Sequence, residues 1–132
     1  MADLQVDIVT PRKAVFSGKA GQAVLPGWEG QMGILPGHDA LLALLRGGVL
    51  ELKGGDGDKK FAVGRGFVEI GSDRVTVLAD TCETADQVDR VAAQKEVDEV
   101  NGKLVGLDTN GVAYSQLEER LEVARARLAL AS

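Results

Sequence analysis

Residues 64–89 read GRGFVEIGSDRVTVLADTCETADQVD, and within this stretch the pattern of apolar residues changes from one type of secondary structure to another. Up to Ala79 apolar and polar residues alternate, as in strands with one buried face, and Gly71 to Asp73 have the composition of a turn. After Thr84 glycines become rare and apolar residues recur at helical spacing. The stretch therefore predicts a β-domain, residues 1–84, followed by a helical segment, residues 85–132.

Before this boundary the chain contains at least seven short runs typical of β-strands, separated by breaks that contain glycine. Leu4, Val6 and Ile8 are two residues apart and are predicted to share one buried face. The other runs are KAGQAVLP, QMGILP, GGVLELK, KKFAVGRG, GFVEIGS and DRVTVLAD. A hairpin turn is indicated at Asp56-Gly57. Runs of this length and spacing favour a β-sandwich or barrel.

After the boundary two helices are predicted, each with a single apolar stripe. The stripe positions are Ala93, Val97, Val100 and Leu104 in the first helix, and Leu117, Leu121, Ala124 and Leu128 in the second. Thr84 with Gln87, and Ser115 with Glu118, match the capping box that starts many helices. The connection is rich in turn residues, so an antiparallel helical hairpin is expected.

The composition argues against several classes of protein. The chain has a net charge of −5 and five aromatic residues, and its charge is shared between the two segments, so neither offers a basic, aromatic face for nucleic acid. One cysteine, Cys82, excludes an intramolecular disulfide and a multi-cysteine zinc site. The longest apolar run, ALLALL, is far too short to span a membrane, so we expect a soluble, cytosolic chain.

Catalytic and metal motifs are weak. His38 is the only histidine, and a lone histidine in a turn is usually structural, so a catalytic arrangement with Cys82 or a serine is not expected. GGDGDKK resembles a calcium loop, but Lys60 and Phe67 occupy ligand positions, so a turn is predicted. From the residues alone, His38 either contacts a partner or satisfies nearby backbone groups. The glycines around it, at 33, 37, 47 and 48, allow positive φ values.

Three blocks carry a resemblance to a known family. Residues 30–52 (GQMGILPGHDALLALLRGGVLEL), residues 64–89 and residues 4–18 (LQVDIVTPRKAVFSG) resemble the epsilon subunits of bacterial and chloroplast F-type ATP synthases, equivalent to delta in mitochondria. The resemblance implies a ten-stranded β-sandwich followed by an antiparallel helical hairpin. It also implies a non-catalytic rotor subunit of the central stalk, without a cofactor, on the cytoplasmic face of the bacterial inner membrane.

The resemblance also implies partner-facing residues. The loop of Glu29, Gly30 and Gln31 would face the c-ring. The segment toward the gamma subunit contains His38, Asp39, Leu41 and Leu42. Where family members commonly carry proline this chain has Ala40, which is expected to loosen the turn without changing the fold. On this interpretation His38 belongs to the scaffold and the rotor contact.

The hairpin would be the regulatory part. In many family members it either folds against the sandwich or extends into the alpha-beta head, where basic residues slow ATP hydrolysis. The corresponding residues here are Arg120, Arg125 and Arg127. Glu118, Glu119 and Glu122 balance them, and Glu122 is expected to pair with Arg125 three residues on, so weak or no inhibition is predicted.

An ATP-binding motif of some family members is degenerate in this chain. The matching positions are Val88, Asp89, Ala92 and Ala93, and the arginine of the motif is replaced by Ala92. No bound ATP is therefore expected. Two other classes of protein remain as alternatives at this point. One is a free-standing β-sandwich that binds a small ligand and dimerises through its helices, and the other is a small cysteine hydrolase.

Overall fold

The computed structural model describes residues 3–131, in which ten strands precede the helices. The strands are β1 (Leu4–Val9), β2 (Ala14–Ala20), β3 (Gln22–Gly27), β4 (Gly30–Ile34), β5 (Leu41–Leu45), β6 (Gly48–Lys53), β7 (Lys59–Val63), β8 (Gly66–Ile70), β9 (Arg74–Ala79) and β10 (Cys82–Glu83). A 3-10 helix, Ala85–Gln87, leads into α1 (Arg90–Leu104) and α2 (Val112–Ala131). The predicted sandwich and helical hairpin are confirmed, although the run KAGQAVLP forms two strands, divided at Gly21.

The strands form one hydrogen-bonded sheet that folds over into two layers. One layer has the order β10-β7-β6-β3-β4 and the other β5-β8-β9-β1-β2, and a single residue pair, Gly27 with Leu45, links them. The pairs are antiparallel except β1 with β9. The two inner faces enclose the core, as in other sandwiches.

The core lies wholly within the strands. Leu4, Val6 and Ile8 are fully buried, which confirms their predicted common face. The rings of Phe16 and Phe61 pack against each other across the layers, with centroids 5.5 Å apart. Each large apolar side chain buried here contributes about 1.5–3 kcal/mol. No hairpin residue belongs to this cluster, so within residues 3–131 the sandwich has an apolar core of its own.

The helical hairpin covers the outer face of β6 and β7. Ala62 is buried although it alternates with the inward residues Phe61 and Val63, because α2 packs against this strand. The fully buried hairpin residues are mostly alanine and valine: Ala93, Val100, Leu121, Ala124 and Ala126. The predicted stripes therefore face inward, although four of their residues keep some exposure: Val97, Leu104, Leu117 and Leu128.

One predicted helix start is wrong and another is displaced. Ser115 lies inside α2, where its N–H donates to the carbonyl of Gly111, so it does not cap the helix. Thr84 and Gln87 do form a capping box, but it belongs to the 3-10 helix. The N-cap of α1 is Asp89, whose carboxylate accepts the Ala92 N–H at 3.0 Å. Capping residues in a polar connection compete locally, and the hairpin packing decides which of them is used.

The close approach of β8 and β9 yields a stability prediction. A methyl group on Gly66 would lie 1.9 Å from the Leu78 carbonyl oxygen, so we expect Gly66→Ala to lower the free energy of unfolding by about 2–3 kcal/mol. Gly71→Ala is the matched control, because its methyl group would lie 3.8 Å from the nearest atom, and we expect a change within about 0.5 kcal/mol. Urea unfolding measures both, and equal losses would contradict the prediction.

Candidate functional site

The outer face of β5 and β8 exposes large apolar side chains. Leu42 and Leu44 of β5 are 65% and 62% exposed, whereas the inward Leu45 is buried. Leu44 pairs across the sheet with Phe67, which is 42% exposed, and Phe67 pairs with Leu78 of β9. We call the outward side chains of Leu42, Leu44 and Phe67 the apolar face. Contiguous exposed apolar area of this kind marks contact surfaces on soluble proteins.

The two predicted partner-facing groups lie at opposite ends of β5. Glu29, Gly30 and Gln31 line an open groove of about 400 Å³ together with Trp28, Met32, Ala43 and Leu44. His38 and Asp39 precede the other end of the strand, beside the β8–β9 turn, where the Gly37 N–H donates to the carbonyl of Ser72. Five strand residues separate the ends by about 13 Å. The tip of Glu29 to Gln31 and the turn of His38 and Asp39 are therefore apart, and Leu44 of the apolar face extends into the groove at the tip.

His38 is held by backbone groups. The ring nitrogen Nδ1 lies 2.7 Å from the Asp39 carbonyl oxygen. The backbone N–H of His38 donates to the Leu35 carbonyl. Of the four glycines predicted to allow positive φ values around it, Gly37 alone adopts one, at +88°. The histidine therefore fixes a turn that is followed directly by the apolar face.

Cys82 is not equipped to act as a nucleophile. Burial raises the pKa of its thiol to about 11, and the negative charge of Glu83 adds to the rise. The thiol is therefore protonated at neutral pH, whereas a reactive cysteine needs a lowered pKa. It lies in β10, in the layer opposite β5 and His38.

Metal-ligating side chains and membrane-spanning helices were both looked for in the described part of the chain. Within residues 3–131, no three His, Cys, Asp or Glu side chains are grouped closely enough to hold an ion. Neither α1 nor α2 has the length and apolar character needed to cross a bilayer.

The side chain of Glu122 joins α2 to the sandwich. Its Oε2 accepts hydrogen bonds from the terminal nitrogens of Arg46 at 2.8 Å and Arg65 at 2.9 Å. Its Oε1 accepts from the Gly47 N–H at 2.9 Å and from Nε of Arg65 at 3.1 Å. We call Arg46, Arg65 and the Gly47 amide the arginine clamp. The expected pairing of Glu122 with Arg125 is wrong, because the carboxylate faces the sandwich.

Strand pairing holds the arginine clamp in place. Leu45 pairs with Gly66, so Arg46 after β5 and Arg65 before β8 emerge side by side. Both guanidinium groups lie over the ring of Trp28, with the central carbon atoms 5.0 and 4.9 Å from its centroid. Such cation–π contacts position the arginines from the side opposite the helix.

Gly47 permits the close approach of the helix. A methyl group at this position would lie 2.8 Å from Cβ of Glu122. Because Gly47 has no side chain, the carboxylate can reach its backbone N–H. Gly47 does not adopt a positive φ, so the glycine is needed here for space and not for its backbone conformation.

The carboxylate of Glu122 is ionised in this setting. Burial alone would raise its pKa, but hydrogen bonds from Arg65, Arg46 and the Gly47 amide outweigh burial and lower the pKa below its ordinary value of 4.5. The same contact with Glu122 raises the pKa of Arg65. Each charged group is therefore stabilised by the other, as expected for a partly buried, fully hydrogen-bonded pair.

The other predicted regulatory arginines differ in their contacts. Arg120 pairs with Glu96 of α1, and Arg127 pairs with Glu83 of the sandwich at 2.6 Å. Arg125 is exposed and forms no ion pair with the described residues. Of these three side chains, Arg127 is thus engaged by docking on the sandwich, and Arg120 is paired within the hairpin.

The degenerate ATP motif serves the helix start. The Asp89 carboxylate caps α1 through the Ala92 N–H, Ala93 is buried in the hairpin, and Val88 lies in the preceding turn.

The sequence analysis missed the arginine clamp. Two signals were present, since Arg46 precedes two glycines and Arg65 lies between two more. Neither motif identifies Glu122, which is 76 and 57 residues away from these arginines. Only the folded chain brings the three side chains together.

Comparison with known proteins places these features in a family. Residues 3–85 match the family model "ATP synthase, Delta/Epsilon chain, beta-sandwich domain". The chain is 36% identical over 127 residues to the ATP synthase epsilon chain of Myxococcus xanthus (strain DK1622), covering 95% of this chain and 93% of that one. It is 37% identical over 131 residues to that of Dehalococcoides mccartyi (strain CBDB1), covering 99% and 94%.

Two solved assemblies contain a chain of the same fold. One is the mitochondrial ATP synthase of Euglena gracilis, OSCP/F1/c-ring, with a TM-score of 0.82 at 20% identity, covering 98% of this chain and 81% of that chain. The other is the central stalk/c-ring of the Tetrahymena thermophila mitochondrial ATP synthase, with a TM-score of 0.66 at 18% identity, covering 98% and 96%. At these identities the likeness concerns the fold.

The ion pairs of Glu122 yield a pH-dependent prediction. Glu122→Gln keeps the side-chain shape but removes the charge, so we expect a loss of about 1.5–3 kcal/mol of unfolding free energy at pH 7. The folded-state pKa is lowered, so this stabilisation is complete above 4.5 and is lost as the pH falls through the folded pKa. Urea unfolding of both proteins at pH 7 and pH 3 should show the difference shrinking in acid.

Glu99→Gln is the control for this experiment. It removes an exposed helical ion pair with Lys103, 2.9 Å long, and should leave the unfolding midpoint nearly unchanged. A Glu122→Gln effect that is as small as the control's, or that does not depend on pH, would contradict the assignment of an ionised Glu122.

Proposed function

The chain belongs to the family of ATP synthase delta/epsilon chains, and we propose that it works in the central stalk, where it links the c-ring to the gamma subunit. As a member of this family it is an accessory subunit, and the chemistry of ATP takes place in other chains. The two solved assemblies compared above both include the c-ring, which supports the proposed position. The same proposal locates the chain at the cytoplasmic face of the bacterial inner membrane, as a peripheral subunit.

The apolar face is the surface that we assign to gamma, and its exposure is the observation that carries the proposal. Leu42, Leu44 and Phe67 lie on the outer side of a buried sheet, with no element of the described chain over them. Leu41 at the start of β5 is also exposed, and the preceding turn holds His38 and Asp39. Burying such side chains against a second protein supplies the apolar centre of an interface.

The other end of β5 is the surface that we assign to the c-ring. Glu29 lies at the tip of the β3–β4 hairpin, and Gly30, at a φ of +137°, and Gln31 begin the returning strand. This tip is separated from the gamma-facing turn by the length of β5, so one rigid sheet can contact two partners at once. We assign both contacts to one domain, residues 1–84. The helical hairpin forms the second domain, residues 85–132.

We propose that the hairpin acts mainly as a structural element beside the stalk, with slight control of hydrolysis by the alpha-beta head. Its second helix carries three arginines and three glutamates, so its formal charge is zero. In the docked state Arg120 and Arg127 are paired and Glu122 is held by the arginine clamp. Extension toward an acidic surface would break these contacts first.

The apolar face gives a direct test of the gamma contact. Leu44→Asp places a charge in the centre of this face, and we expect binding to gamma to weaken by about 30-fold, the loss typical of a central interface residue. Folding should be unaffected because the side chain is exposed. Val91→Asp, at an exposed position of α1, is the control and should bind as the unaltered chain does. Equal binding by both variants in a titration with purified gamma would exclude the apolar face.

The hairpin gives a second test. Deleting residues 85–132 in the assembled enzyme should change the rate of ATP hydrolysis by less than about twofold, because a neutral helix offers little preference for an acidic head. Arg125→Ala, which removes the exposed arginine of α2, should have no effect. A several-fold rise after deletion would show that the hairpin is a strong brake.

A further inference from the structure

The arginine clamp is built by the sandwich, and the helix supplies only the carboxylate. Arg46 and Arg65 leave adjacent strand ends, and both pack on Trp28, which belongs to the β3–β4 hairpin. The Gly47 amide is fixed between β5 and β6. None of the three donors belongs to α2, so all of them stay with the sandwich if the hairpin leaves.

We propose that the arginine clamp is a binding site for carboxylates, with Glu122 as its exchangeable internal ligand. When the hairpin leaves the sandwich, the site takes an acidic side chain from the neighbouring protein that covers the apolar face. The assignment of this second occupant, an acidic side chain of a neighbouring protein, rests on the proposed function. The binding of carboxylates by the arginine clamp does not.

Charge and packing make Glu122 exchangeable. The buried residues of α2 include Ala124 and Ala126, which remove little apolar area from water, so we infer that the ion pairs supply much of the docking preference. Without an anion, two guanidinium groups lie side by side, and their repulsion favours the entry of another negative group.

The geometry selects a carboxylate. Oε1 and Oε2 of Glu122 both accept from Arg65, and each accepts from one further donor, the Gly47 amide or Arg46. Planar forks matched to two oxygens are the usual mode of recognition of carboxylates by arginine.

The position of the site favours a protein ligand. Trp28, under both arginines, lines the same groove as Leu44 of the apolar face. A partner seated on that face can therefore extend an acidic side chain into the arginine clamp. Apolar contact and a buried ion pair would then form together at one end of β5.

Trp28 provides the measurement, because it is the only tryptophan in the chain. Glu122→Ala empties the arginine clamp, and sodium acetate is titrated against sodium chloride at constant ionic strength while tryptophan emission is recorded. We expect a saturable change with acetate, at a concentration about tenfold lower than for the unaltered chain, whose own carboxylate competes. Glu122→Ala combined with Arg65→Gln is the control and should not respond.

The outcomes are distinguishable. No saturable response in Glu122→Ala, or a response that survives Arg65→Gln, overturns the proposal, and a response to inorganic phosphate but not to acetate overturns the choice of ligand. If Glu122→Ala is unfolded in chloride, acetate should restore its folding. The isosteric Glu122→Gln is then tested as well. If acetate does not restore folding, and Glu122→Gln is folded but its tryptophan emission does not respond to acetate, the proposal is overturned.

The second occupant is tested in the assembled enzyme. Glu122→Ala should remain bound to the complex at moderate salt, and adding Arg65→Gln should release it at a lower salt concentration. Equal retention of the two variants would exclude an acidic side chain of a neighbour. If Glu122→Ala does not join the complex although the isolated variant binds acetate, the proposed stalk position fails and the carboxylate site stands.

Discussion

The pairing of β5 with β8 is the constraint on which both functional surfaces depend. Its register places Leu44 opposite Phe67 on the outer side and Leu45 opposite Gly66 at the strand end. A slip of one residue would turn the outward leucines into the core and the inward ones to solvent. The same register sets Arg46 beside Arg65. One pattern of backbone hydrogen bonds thus creates an apolar contact surface and a charged site at its end.

The hairpin is attached in a different way from the strands. The strands enclose large aliphatic side chains, whereas the hairpin buries mostly alanine and valine, which remove less apolar area from water. Glu122 compensates with bonds to three donors on the sandwich, and Arg127 adds a second ion pair with Glu83. An interface held by charge responds to pH, salt and competing carboxylates more strongly than one held by apolar packing. The hairpin can therefore be separated from the sandwich by conditions that leave the packing between the strands intact.

A two-surface sheet suits a stalk subunit. The tip at Glu29 to Gln31 and the turn at His38 are fixed to opposite ends of a strand whose inner side is packed. A close-packed core transmits strain, so a displacement at one end of this strand is passed to the other. His38 has a structural role in this arrangement. Its ring nitrogen Nδ1 contacts the Asp39 carbonyl oxygen, and the residue lies in the turn before β5.

Local sequence was sufficient for a β-rich first part and two helices after it, but not for every strand. Alternation identified the buried face of Leu4, Val6 and Ile8, and the change of period after Ala79 predicted a switch to helix, because both depend on residues close in the chain. The strand β5 was not among the predicted runs, because its sequence LLALL does not alternate. Local sequence was insufficient for the helix ends, since Ser115 lies inside α2, and Asp89 rather than Thr84 caps α1. It also failed for Glu122, which local spacing paired with Arg125. Two arginines that are far from Glu122 in sequence bind that carboxylate instead. Only the tertiary structure brings them within 3 Å of it, since strand pairing and a glycine decide where the helix can lie.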